Sequence, residues 1–209
     1  METQLAHQES LRAMALVCTL KPSPASSSSQ VMAEQVLAAM GEHDVTTDLA
    51  RVVDYDIAPG VDVDLGDGDQ WPELRKRVLD ADILILATPT WVGHMSSVGQ
   101  QVLERLNAES SQTDDEGRPT TYGKVATVAV VGNEDGAHKI IADGFQGLND
   151  SGFTIPAQGG TYWNAEAMNP RDYKDLEETP EAVATTTKSL AANAVHLARL
   201  LKAHQYAGS

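Results

Sequence analysis

Three turn-forming stretches hold the residues whose chemistry can be read directly. Residues 19–29 supply hydroxyls at Ser23, Ser26, Ser27, Ser28 and Ser29, just before a helix-forming run. A helix start presents unpaired N–H groups and a partial positive charge, and serines add short donors, so the stretch suits a phosphate. The same residues would equally form an ordinary Ser-rich loop with a Ser cap. The phosphate-binding patterns G-x-x-x-x-G-K-[ST] and G-x-G-x-x-G are absent from it. The second stretch is A-T-P-T-W-V-G-H-M-S-S, residues 87–97. Pro89 stiffens the turn, Thr90 offers a hydroxyl, and Gly93 permits a close backbone approach. Trp91 could stack on a flat ring, or pack on its own protein or on a neighbouring subunit. The third stretch, Gly132-Asn133-Glu134-Asp135-Gly136, supplies backbone amides and one amide side chain. Together they suit a ligand with one anionic end and one flat ring, as in a mononucleotide. No nucleophile–base pair or metal-ligand cluster stands out, so a bound cofactor would carry the chemistry.

The elements that position these stretches follow from the hydrophobic pattern. Residues 83–87 are apolar throughout, as in a strand of a parallel sheet covered on both faces. Further strands are expected at 13–20, 45–54, 124–131 and 153–157. Helices are expected at 31–40, 71–79, 97–107, 137–151 and 181–205. This alternation predicts an α/β fold: a doubly wound parallel sheet of five strands, order 2-1-3-4-5, with helices on both faces. In that order, the loops after strands one, three and four converge at the switch point, where ligands bind. Residues 1–12 read as a flexible N-terminal extension and 13–209 as one domain. The acidic run 58–70 starts with the D-x-D of a calcium loop but lacks its closing Glu, and reads as a solvated loop.

Composition narrows the function classes. The 209 residues include 30 acidic and 15 basic side chains, a net charge of -15. That field disfavours nucleic acid and anionic membrane surfaces as partners. The single cysteine, Cys18, can form neither an internal disulfide nor an iron–sulfur site. The N-terminal residues carry Glu2 and Glu9 and no apolar stretch, so no secretory signal is read and a cytoplasmic location is expected.

The segment at 87–97 resembles the isoalloxazine loop of the flavodoxin-like superfamily, in its NADPH-dependent FMN reductase and quinone reductase branch. Residues 19–29 are similar to that branch's phosphate loop, although its usual Gly-Ser start and Arg are missing. Residues 130–138, V-V-G-N-E-D-G-A-H, resemble its third loop. The resemblance implies that Ser23, Ser28 and Ser29 hold the FMN phosphate. It places Pro89, Thr90, Trp91, Val92 and Gly93 along the ring, with Gly132, Asn133 and Gly136 at its other side. It further implies a ping-pong cycle, in which NADPH or NADH passes hydride to flavin N5 and then yields its place to a small acceptor such as flavin or quinone. His94 could donate a proton there, or be a surface or subunit-contact residue. The family favours a homodimer or homotetramer. The alternative is a flavodoxin-type electron carrier that docks redox partners without turning over nicotinamide.

Overall fold

The computed structural model describes residues 10–165 and 169–208. Nearly all of the expected N-terminal extension lies outside the described residues. The first strand, β1 (Arg12–Val17), already begins at Arg12, and Leu11 before it is buried. The other strands are β2 (Thr46–Arg51), β3 (Ile83–Trp91), β4 (His94–Met95), β5 (Val125–Val131) and β6 (Gly160–Trp163). The helices are α1 (Ser28–Gly41), α2 (Trp71–Leu79), α3 (Ser97–Leu106), α4 (Ala137–Asp150) and α5 (Glu181–Ala203).

Strands β2-β1-β3-β5-β6 form the parallel sheet in that order, while β4 pairs antiparallel with the end of β3. Without the β4 hairpin, this is the expected 2-1-3-4-5 order of the flavodoxin-like fold. The central strands are apolar on both faces because each face has its own core. Ala13, Ala15, Val17, Ile83 and Ile85 pack on Met32, Val36 and Met40 of α1 and on Leu190 and Ala194 of α5. Met14, Leu16, Leu84 and Leu86 face Trp71 and Leu74 of α2, Val102 and Leu106 of α3, and Ile140 of α4.

The structure corrects three boundaries. The first helix starts at Ser28 and not at 31, because Ser27 caps it by accepting the Gln30 N–H at 3.3 Å. The last strand is 160–163, whereas 153–157 was expected. Thr154 makes a single bridge to Val125, but Pro156 has no N–H to continue the ladder. The chain turns there, with the Gly159 N–H donating to the Pro156 carbonyl at 3.1 Å, and pairing resumes at Val128–Gly160. The third strand runs on to Trp91 and turns back as a hairpin through β4. Val92 and Gly93, at its tip, have φ of 53° and 71°. Positive φ at both central residues is the mark of a tight two-residue hairpin. For a β-branched Val it is strained, so neighbours must hold it.

The acidic run packs through one residue. The Asp69 carboxylate accepts N–H groups from Ala58, Leu65 and Trp71 and pairs with Arg105 at 2.7 Å. Both side chains are buried, at 1% and 0% exposure. Arg105 also donates to the Ala58 carbonyl and lies over the Trp71 ring, 5.5 Å from its centroid. Among the described residues, no helix is long and apolar enough to cross a membrane.

Candidate functional site

The loops after β1, β3 and β5 meet in one cleft at the carboxyl edge of the sheet. The first loop contributes Thr19, Leu20, Lys21 and Ser26 to Ser29; the second, Pro89, Thr90 and Trp91; the third, Gly132 and Asn133 beside Val131. Trp163 at the end of β6 and the later segment Asp172, Tyr173 and Lys174 complete the lining.

Each loop is fixed to the next. Ser96 caps α3 by accepting the Gly99 N–H at 3.1 Å, and its hydroxyl donates to the Cys18 carbonyl at 2.6 Å. One side chain thereby joins the second loop to the end of β1. Glu134 accepts the Val92 N–H at 2.9 Å and holds the strained hairpin tip to the third loop. Gly136, at φ 133°, lies so close to Gly93 that a Cβ there would stand 2.8 Å from the Gly93 Cα. Gly132 is pressed as tightly on Thr90, 2.7 Å from a notional Cβ to the Thr90 Cβ.

Beneath the first loop, Arg51 at the end of β2 donates to the carbonyls of Lys21 and Ala25, at 3.1 and 2.7 Å, and to Gln30. It shapes the serine turn from behind. Ser23 faces away from the cleft. Its N–H and hydroxyl donate to the two carboxylate oxygens of Asp54 at 2.8 and 2.6 Å, which holds that carboxyl below the usual range.

Of the residues expected to touch a ligand, Ser28, Ser29, Pro89, Thr90, Trp91, Gly132 and Asn133 line the cleft. Ser23, Val92, Gly93 and Gly136 do not; the last three form the joint between the second and third loops. His94 is exposed at the hairpin, its Nδ1 2.8 Å from the Val92 carbonyl oxygen. The Cys18 thiol is fully buried, and burial pushes its pKa up, so it stays a neutral thiol. Lys21, Arg51, Asp172, Tyr173 and Lys174 were missed. A Lys before a Pro-Ser turn and an Arg closing an edge strand were the available signals; the 172–174 segment carried none.

The lining suits a flavin mononucleotide. The Thr90 hydroxyl is buried, the residue being 4% exposed, and it has no hydrogen-bond partner in the protein. It lies against Gly132 at the joint of the second and third loops, an unpaired polar group in the cleft wall. The first turn of α1, with its serines and Lys21, offers donors and positive charge at one end. Pro89, Trp91 and Trp163 offer flat apolar walls at the other.

Residues 12–167 match the family model described as NADPH-dependent FMN reductase. The chain belongs to the NADPH-dependent FMN reductase family. FMN and NADPH are the flavin and the reductant that define this family. The chain is 30% identical over 208 residues to the 8-demethyl-8-aminoriboflavin-5′-phosphate synthase of Streptomyces davaonensis, covering 94% of this chain and 80% of that one. A Mycobacterium bovis protein named divalent metal cation transporter MntH is 38% identical over 202 residues, covering 93% of this chain. The chain spans only 30% of that relative's length. Among solved structures, RosB with bound 8-demethyl-8-formylriboflavin-5′-phosphate superposes with a TM-score of 0.85 at 29% identity, covering 94% of this chain and 82% of that one. The apo form of the NADH:FMN oxidoreductase EMOB shares the fold, with a TM-score of 0.59 at 19% identity over 91% of this chain and 89% of that one.

Proposed function

We propose that the protein is an FMN-dependent NAD(P)H oxidoreductase that serves a small acceptor such as flavin or quinone in ping-pong order. The observation that carries this reading is the single cleft that brings together a serine-lined helix start, the unpaired Thr90 and an indole wall. RosB's binding of a flavin 5′-phosphate supports it. When bound, FMN supplies reversible uptake and release of hydride. The protein's part is to hold and orient. The N–H groups of the first turn of α1, with the hydroxyls of Ser28 and Ser29, receive the phosphate. Thr90 lines the wall beside the ring, and Pro89 and Trp91 fix its plane. Gly132, packed directly on Thr90, and Asn133 continue that wall, where the missing Cβ of Gly132 lets the second and third loops touch. Reductant and acceptor occupy the open face in turn. Exposed Leu20, Trp91 and Val92 at the rim support a homo-oligomer joined near the cleft.

The test is anaerobic mixing of FMN-loaded protein with NADPH and, separately, NADH. Loss of the oxidised-flavin absorbance with at least one, and parallel double-reciprocal plots with a quinone acceptor, are expected. Persistent oxidised-flavin absorbance with both would overturn the reductase reading in favour of an electron carrier.

A further inference from the structure

Residues 169–175 form a strap across the phosphate end of the cleft. They come from the connection between β6 and α5, yet they bond to both of the other walls. Asn133 of the third loop donates to the Asn169 carbonyl at 2.8 Å. The Lys174 N–H donates to the Ser28 hydroxyl at 3.3 Å. Tyr173, 3% exposed, donates its hydroxyl to Gln35 of α1 at 2.5 Å and packs its ring on Trp163, with centroids 5.4 Å apart.

The strap therefore places Lys174 beside the serine turn, 146 positions after Ser28 in the chain. Its ammonium pairs with two carboxylates, Asp172 at 3.0 Å and Asp175 at 2.7 Å. Asp172 itself lines the cleft. In a chain of net charge -15, a nearby cation favours an added phosphate at this spot. Lys21 on one side and Lys174 on the other are the cationic side chains of the lining.

We propose that Lys174, delivered by the strap, reads the ligand's terminal phosphate and makes the cleft select 5′-phosphorylated flavin over riboflavin. The inference rests on the FMN reading above. A charge-assisted bond to phosphate exists only for the phosphorylated ligand. Riboflavin has the same ring and the same contacts with Thr90 and Trp91, but gives Lys174 nothing to bind.

The experiment is fluorescence titration of the full chain with FMN and with riboflavin, comparing the wild type with Lys174→Met, Lys174→Gln and Lys174→Arg. Both neutral variants are expected to lose about 10-fold or more in FMN affinity while riboflavin affinity stays within about twofold. Lys174→Arg is expected to keep most of the FMN affinity, because it keeps the charge. An equal loss for both flavins would overturn the inference, since Lys174 would then only hold the strap in place. Unchanged FMN affinity in the neutral variants would overturn it too. A wild type that binds neither flavin would instead overturn the FMN reading itself, and this inference with it.

Discussion

Trp91 lines the cleft while leaving 52% of its surface in solvent. An indole kept that open gains little from its own fold and much from a planar ligand. Trp91→Ala is therefore expected to weaken FMN binding by about 10-fold or more, since stacking of a heteroaromatic ring on an aromatic side chain contributes about 1–3 kcal/mol. Fluorescence titration checks this, and an unchanged affinity would mean that Trp91 does not meet the ring. At this scale the sequence was informative where chemistry is local. Thr90, Trp91 and Gly132 stand at strand ends, where a hydroxyl, an indole or a missing Cβ can hardly serve a core. It was uninformative among the serines. Five hydroxyls in one short run look alike, and Asp54, 31 positions away, is what draws Ser23 off the cleft. Lys174 was invisible for a related reason: its place depends on Tyr173 seating against Gln35, 138 positions earlier.

Loops and elements are joined by few bonds, and Ser96 makes two of the important ones. Its hydroxyl caps α3 and donates to the Cys18 carbonyl from a fully buried position. Ser96→Ala removes the cap and leaves a buried carbonyl without its partner, at a cost of about 1–2 kcal/mol. A fall in Tm of roughly 2–8 °C is expected by differential scanning calorimetry. Unchanged stability would show that the first and second loops are held by other contacts. The element order was legible because apolar strands and amphipathic helices alternate cleanly. The hairpin was not, because Val92 is an unfavourable residue at positive φ and it is Glu134, from another loop, that holds its N–H. The last strand was misplaced for a backbone reason. Phe153 and Ile155 have strand-like side chains, but Pro156 interrupts the ladder they would extend.

Across the whole molecule, the acidic surplus is managed by pairing particular carboxylates. Burial pushes Asp69 up, but Arg105 and three backbone N–H groups outweigh it, so its carboxyl sits below the usual range. Asp48, bonded by Arg77, is also held low. A carboxyl depressed on folding stabilises the protein above its unfolded pKa of about 3.9, and that contribution is lost as pH falls through the folded value. Stability should thus be nearly level from about pH 7 to 5 and decline below about pH 4. Arg105→Met strands a buried carboxylate and is expected to cost about 3–5 kcal/mol near neutral pH. The gap to the wild type should narrow below about pH 4, as Asp69 takes up a proton. Melting curves across that range check both, and a gap that widens in acid would contradict the pairing. The two walls of the cleft are secured differently. The floor is locked by bonds among its own loops, with Ser96 buried within them, whereas the strap is anchored by Tyr173 against Trp163 and by single hydrogen bonds at Asn133, Ser28 and Gln35. The floor is thus the wall whose shape its own loops fix, and the strap the wall whose shape depends on contacts made across the cleft.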